Sequence, residues 1–394
     1  MIKRIRIQNF KSIRDIEVCL GPLTVLVGRS GTGKSNFVNA IRFIRDYLAW
    51  GDGAVRGHDA WKYILPAGRG EAPGFSLDFV VPGHDEEFTY SFALVNKAER
   101  GGVQLKSESL TVGSSDVFVQ SDNRWIRPPQ TAPIPQLGQL ALGSLSAIPE
   151  ARIAFTALTN GIGCYEFSSE VAGTDIGNIH QSPQAKMAQQ SGVQQFPANG
   201  SLLDDAANYV PAATSIIGNL SNLGLKKTLV ASLQILNPSI ASLELDSVQN
   251  PKRITVTHKF PDQSLSLDLA QESDGFRRFF AHLLALYQQP SKLTLLFEEP
   301  EAGIHPGALG LLADEFRQAP VKGRGQVVLT THSPELLNHL EVDCLRVVTI
   351  HNHETRIGSV AHEQVESVKE RLLTPGELLT VDYARVGESE ATAP

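Results

Sequence analysis

Cysteine is scarce in this chain, and the three present, Cys19, Cys164 and Cys344, are an odd number at wide spacing. That excludes a disulfide framework and a paired-cysteine zinc motif, and it predicts reduced thiols in a cytoplasmic protein. No run of roughly 18 uninterrupted apolar residues occurs, and no apolar stretch of signal-peptide length follows the basic start. The expectation is a chain that neither spans a membrane nor carries an evident export signal. Sustained heptads and fixed-period repeats are also lacking, which argues against a long coiled coil and a solenoid. Charge of one sign is not in large excess: 35 Lys and Arg against 42 Asp and Glu leave a formal charge of -7. A uniformly basic nucleic-acid coat is therefore excluded, although a local patch is not. Lys3, Arg4, Arg6, Lys11 and Arg14 precede the first acid, Asp15. In a strand over 2–8, Lys3 would point away from Arg4 and Arg6, which favours a solvated edge over a DNA contact.

What remains is an ordinary globular composition, 42% hydrophobic and 20% charged over 394 residues, enough for two or three domains. Strand patterns cover Ile2–Ile7, Ile13–Leu20 and Leu23–Val27, then a helix from Lys34, then Phe75–Val81 and Phe88–Leu94. Between about 112 and 205 proline, glycine and glutamine accumulate, as in Arg127–Pro135 and Gln181–Gln190, and periodicity is poor. A helix over Leu225–Leu236 and strands over Ser242–Val248 and Ile254–Phe260 lead into a second α/β half. The final residues, Gly387–Pro394, are small and polar and read as a frayed end.

Gly28-Arg29-Ser30-Gly31-Thr32-Gly33-Lys34-Ser35 is a G-x-x-x-x-G-K-S phosphate loop between a β-branched strand and a helix entered at Asn36. Glycines let backbone N–H groups turn toward phosphates, Lys34 reaches the β- and γ-phosphates of ATP, and Ser35 ligates Mg²⁺. Downstream, the buried strand Leu293–Phe297 ends in Glu298-Glu299. One carboxylate there can hold the metal shell and the next can orient the attacking water. Gln326–Thr330 runs into Thr331-His332-Ser333-Pro334, which puts a histidine at another strand end as a γ-phosphate sensor. Gln271–Phe279 offers Ser273, Asp274 and Gly275 as a helix start that either binds phosphate or merely caps its helix. His351 and His353 have no third ligand in view and read as a strand edge or turn.

The order of these elements resembles the ATP-binding-cassette superfamily, and more narrowly its branch with RecF, the SMC and Rad50 proteins and the overcoming-lysogenization-defect nucleases. Asn9-Phe10-Lys11-Ser12 is similar to that branch's N-F-K-S, and Glu298–Pro306 to its E-E-P-E-x-G-L-H-P; Thr330–Pro334 completes the match. Stand-alone RecF-like bacterial ATPases are the nearest in pattern, with a segment similar to Asn199–Leu203. The resemblance implies an α/β fold, an ABC-type P-loop ATPase with a mixed central sheet, helices on both faces and an irregular inserted lobe. The expected division is 1–111 and 206–362 as the two halves of the ATPase domain, 112–205 as the lobe, and 363–394 as a tail. It further implies that Glu298 holds Mg²⁺, Glu299 and His332 act in catalysis with Lys34, and Ser273, Asp274 and Gly275 complete the ATP site of a second copy. Dimerisation on ATP binding follows from that arrangement. No convincing glutamine follows the strand near residue 80, where the family's loop is expected.

The work done with ATP stays open at this level. One reading is a DNA-associated ATPase of repair type that grips duplex; the alternative is a regulatory or sensor ATPase of phage defence acting on a nuclease or toxin. A transporter subunit is a third. A nuclease within the chain is disfavoured, because the stretch after His332 has no Asp-x-Asp pair for a toprim metal site.

Overall fold

The computed structural model describes residues 1–51, 54, 73–97, 102–131, 134–167, 202, 204, 209–222, 224–246 and 253–387. Gln181–Gln190, most of Asn199–Leu203 and the last seven residues lie outside them. In chain order the elements begin with β1 (Ile2–Phe10), β2 (Ile13–Cys19), β3 (Leu23–Val27), α1 (Lys34–Trp50), β4 (Gly74–Phe79), β5 (Phe88–Lys97), β6 (Gly102–Val112), β7 (Ser115–Ser121) and β8 (Arg124–Arg127). Next come α2 (Pro149–Thr159), β9 (Ile162–Tyr165), α3 (Tyr209–Asn222), α4 (Lys226–Leu236), β10 (Ile240–Asp246), β11 (Arg253–Lys259), β12 (Ser264–Asp268) and α5 (Asp274–Tyr287). The last are β13 (Thr294–Glu298), α6 (Leu309–Val321), β14 (Gln326–Thr331), α7 (Pro334–Leu337), β15 (Leu345–His351), β16 (Glu354–Ser359) and α8 (His362–Lys369).

A six-stranded sheet in the order β16-β15-β3-β14-β13-β9 forms the centre, parallel except for the β15–β16 hairpin. Its strands read as continuous apolar runs because both faces are covered. Val25, Leu295, Phe297, Val327 and Leu329 enter one core with α5 and α6, while Leu26, Leu296 and Val328 enter the other with α1. Alternation along each strand thus fills two cores from one sheet.

The second core is closed by a seven-stranded antiparallel sheet, β2-β1-β4-β5-β6-β7-β8. Phe10, Phe75 and Phe92 of that sheet meet Phe43 and Tyr47 of α1 at ring-centroid distances of 5.6–5.7 Å. These contacts fix the helix after the phosphate loop, and Glu108 ties the same sheet to the segment leading into α2. Its buried carboxylate accepts from Tyr90, Gln120 and the backbone of Ala141 and Leu142.

Of the stretch expected as a lobe, 112–205, the described residues up to 167 supply β7, β8 and α2, and β9 is a strand of the central sheet beside β13. The missing periodicity has a physical cause, since Ile162–Tyr165 is only four residues long and buried throughout, too short to show a period. β4, the strand near residue 80, belongs to the antiparallel sheet and not to the central sheet that carries the phosphate loop.

Arg4 and Arg6 are on the exposed side of β1, and a register shift between Ile2 and Arg4 leaves Lys3 exposed with them. Asp78, Glu17 and Asp15 neutralise the two arginines. The N-terminal patch is a salt-bridged sheet face.

Candidate nucleotide site

The phosphate loop follows β3 at its carboxyl end, and the glycines are sterically required. A Cβ on Gly28 would lie 2.2 Å from Val348 O, and one on Gly33, at φ 103°, would lie 2.1 Å from Thr355 Oγ1. Thr355, buried on β16, donates to Thr32 O at 3.0 Å and meets Ser12 Oγ at 2.6 Å. Asn36 Nδ2 donates to the same Ser12 hydroxyl at 2.7 Å. The N-F-K-S segment therefore braces the loop through Ser12. Asn9 and Lys11 have positive φ, 53° and 51°, which turns the chain so that Ser12 reaches it.

Lys34 folds over the loop, its ammonium donating to Gly28 O at 2.9 Å and Arg29 O at 3.0 Å. Burial lowers its pKa to about 8, against the raising effect of Glu299 and Glu301. Arg29 stacks on Tyr383 at 4.0 Å from the ring centroid, so the C-terminal segment touches the loop.

The adjacent acids differ sharply. Glu298, its side chain 9% exposed, ends β13; burial pushes its carboxyl pKa up, opposed by the charge of Arg42 and by the Ser35 hydroxyl. Arg42 Nη2 donates to Glu298 Oε1 at 3.1 Å. Glu299 is exposed and has φ 45°, a strained conformation for a side-chain-bearing residue, and its N–H donates to Thr330 O at 3.1 Å. The turn brings Glu299 Oε1 within 3.5 Å of His332 Nε2. Burial, then Lys34, lowers the His332 pKa, so the ring is neutral at neutral pH.

Glu301 is a residue whose role the motif reading left blank. Its Oε1 accepts from Thr331 Oγ1 at 2.7 Å, His332 N at 2.8 Å and Ser333 N at 3.1 Å, and so fixes the histidine loop. Arg42 was likewise missed. The available signal was a pair of arginines, Arg42 and Arg45, on the otherwise buried side of an amphipathic helix.

Lys34, Ser35, Glu298, Glu299 and His332 share one corner at the carboxyl ends of β3, β13 and β14. Ser273, Asp274 and Gly275 make none of the contacts described for that corner, although a Cβ on Gly275 would lie 3.3 Å from Gly303 O in the turn that follows Glu299. Ser273 caps α5 by accepting from Phe276 N at 3.3 Å, and Asp274 pairs with Arg277 of the same helix. The helix start is tied to β11 by Glu272–His258 at 2.8 Å, and to the turn after Glu299 by Arg278 donating to Ala302 O at 2.6 Å. Ser273 and Asp274 are exposed. His351 ends β15, and His353 lies in the turn to β16. Among the described residues no group of three or more His, Cys, Asp or Glu is placed to hold a metal, and no helix is long and apolar enough to cross a membrane. The three cysteines are unpaired.

Residues 1–52 match a family described as "AAA ATPase domain", and residues 182–338 match one described as "AAA domain, putative AbiEii toxin, Type IV TA system". The fold is that of solved SMC heads. An SmcHead bound to the C-winged helix domain of ScpA superposes with a TM-score of 0.55 at 14% identity, over 92% of this chain and 99% of that one. An Smc head domain bound to the C-terminal domain of ScpA, from Pyrococcus furiosus, gives 0.53 at 12% identity, over 94% and 99%. This chain is an ATPase with the fold of an SMC head. Its sequence relatives include Endonuclease GajA of Bacillus cereus, 23% identical over 389 residues, 93% of this chain and 62% of that protein. The OLD nuclease of Thermus scotoductus is 43% identical over 44 residues, 11% of this chain and 8% of that one. The chain thus spans less than two thirds of the length of these relatives.

Proposed function

We propose that this ATPase closes around ATP against a second copy of itself and uses the cycle to control a nuclease or toxin partner. The observation that carries the reading is that one corner gathers Lys34, Ser35, Glu298, Glu299 and His332, while Ser273 and Asp274 at the start of α5 are exposed and make no contact with it. An exposed helix N-terminus binds phosphate readily when a partner supplies it. The similarity to Endonuclease GajA over nearly the whole chain supports a nuclease-linked role, as does the match to a toxin-system family.

In this reading Gly28–Asn36 wrap the phosphates, and Lys34 exchanges its two carbonyl partners for the β- and γ-phosphates. Ser35 and Glu298, an alcohol and a carboxylate, are the hard oxygen donors that Mg²⁺ takes. The cation, when bound, neutralises phosphate charge. Glu299, exposed and aimed by its strained turn, orients the attacking water and accepts its proton. Neutral His332, locked through Glu301, hydrogen-bonds the γ-phosphate. Ser273, Asp274 and Gly275 of the second copy cover that phosphate from the other side.

The SMC-head fold favours a second reading, a repair-type ATPase whose closed dimer grips duplex DNA. The two separate in one experiment, because phosphate contacts make DNA affinity fall steeply with salt. Glu299→Gln with ATP should fail to retain duplex at any salt if the partner is a protein. Retention at low salt, lost as salt rises, would replace that reading with the DNA one.

A further inference from the structure

The chain leaves β9 through Glu166 and comes back at Asp204, where the Glu166 N–H donates to Asp204 O at 2.9 Å. Both stem carboxylates converge on α1. Arg45 grips Asp204 with two hydrogen bonds, 2.8 and 2.6 Å, while Arg42 Nε lies 3.8 Å from Asp204 Oδ2 and Nη2 lies 3.9 Å from Glu166 Oε2. The remaining Arg42 contacts are Nη1 to Asn39 Oδ1 at 3.0 Å and Nη2 to Glu298 Oε1 at 3.1 Å. The side chain is 14% exposed, and that of Glu298 is 9% exposed.

A guanidinium is a planar fork with fixed donor directions, so partners on several sides leave it one orientation. Arg42 engages Glu298 through Oε1 alone and leaves Oε2 outside the pair. We propose that Arg42 is a positioning residue for Glu298, itself held by Asp204 and Glu166, and that it sets how firmly the Ser35–Glu298 corner retains a divalent cation. The proposal rests on Glu298 being the metal-side acid.

Two effects of Arg42 oppose each other, since its positive charge repels a cation while its hydrogen bond aims the ligand. Asp204 and Glu166 offset the charge, so orientation decides the sign. Partners that orient a metal-binding group are typically worth about ten- to hundredfold in metal affinity.

The test is Mn²⁺ retention, followed by the electron paramagnetic resonance of free Mn²⁺, with a non-hydrolysable ATP analogue on the intact chain. Arg42→Gln and Asp204→Asn should each weaken retention by about ten- to hundredfold. Nucleotide binding in chelator should stay unchanged, and Arg42→Lys, which keeps charge but not the fork, should fall between. If Arg42→Gln unfolds, Asp204→Asn and Arg42→Lys carry the same test. Retention equal to or tighter than that of the unmodified chain in the folded variants overturns the proposal. Glu298→Gln separates the two failures: if it too retains Mn²⁺ normally, the metal-side assignment of Glu298 has failed, whereas weakened retention there with normal retention in Arg42→Gln rejects Arg42 alone.

Discussion

The phosphate-loop corner and the start of α5 both present hydroxyls and backbone N–H groups, yet they are braced in opposite ways. Ser12 and Thr355 hold the loop from distant parts of the chain, with Asn36 linked to Ser12, and Glu298, Glu299 and His332 face it from two further strands. Ser273 is satisfied within its own helix, with Glu272–His258 and Arg278–Ala302 fixing the helix behind it. In the proposed reading the first region does the chemistry and the second is presented to another copy. The difference teaches that one region is braced by residues from across the fold, while the other is satisfied within its own helix and fixed from behind.

The largest effect on that comparison should come from Lys34→Ala. Removing a charge-assisted contact to two phosphates should weaken equilibrium ATP binding by about a hundredfold or more. Undiminished affinity by calorimetry would take the loop out of the account, while the same experiment on Ser273→Ala should show normal binding to the isolated chain.

A smaller effect sharpens the electrostatics of the corner. The Lys34 ammonium titrates near 8 in the empty site because burial disfavours its charge, and bound phosphates raise that value again. Between the two values ATP binding takes up a proton, so affinity should fall as pH rises above about 8, by about tenfold per pH unit once the empty site is neutral. Calorimetry at pH 9 in buffers of different ionisation enthalpy measures the uptake. Proton release, or none, would contradict the assignment of a buried, partly neutral Lys34.

The smallest effect is on stability, and the most diagnostic on mixing. Ser273→Ala should cost about 1 kcal/mol of unfolding free energy through loss of the cap. It should also abolish turnover in a dimer of identical chains, yet regain part of it when mixed with Lys34→Ala, because one intact composite site can then form. No recovery on mixing would place Ser273 in a capping role only.

The residues at strand ends were legible in the sequence because their neighbours announce them. Val25–Val27, Leu295–Phe297 and Val327–Leu329 are uninterrupted buried runs, and a buried parallel strand points to its carboxyl end. Helix α4 and strands β10 and β11 fall within two residues of the patterned boundaries. Beyond these, legibility stops for physical reasons. β9 is four residues long with a glycine inside, so neither length nor alternation marks it as central. Arg42, Glu166 and Asp204 act through contacts between segments more than a hundred residues apart, which no local pattern encodes. Glu301 lay in a quoted motif, but its work is done on Thr331, His332 and Ser333, visible only once β13 and β14 are side by side.

The central claim is that Glu299 serves hydrolysis and not binding, in a site that two copies close together. Light scattering of Glu299→Gln with ATP and Mg²⁺, alongside phosphate release, tests it most directly. The account predicts a stable dimer that holds ATP while phosphate release falls by about a hundredfold or more. A monomer with ATP bound, or a dimer that turns over at the rate of the unmodified chain, would contradict it.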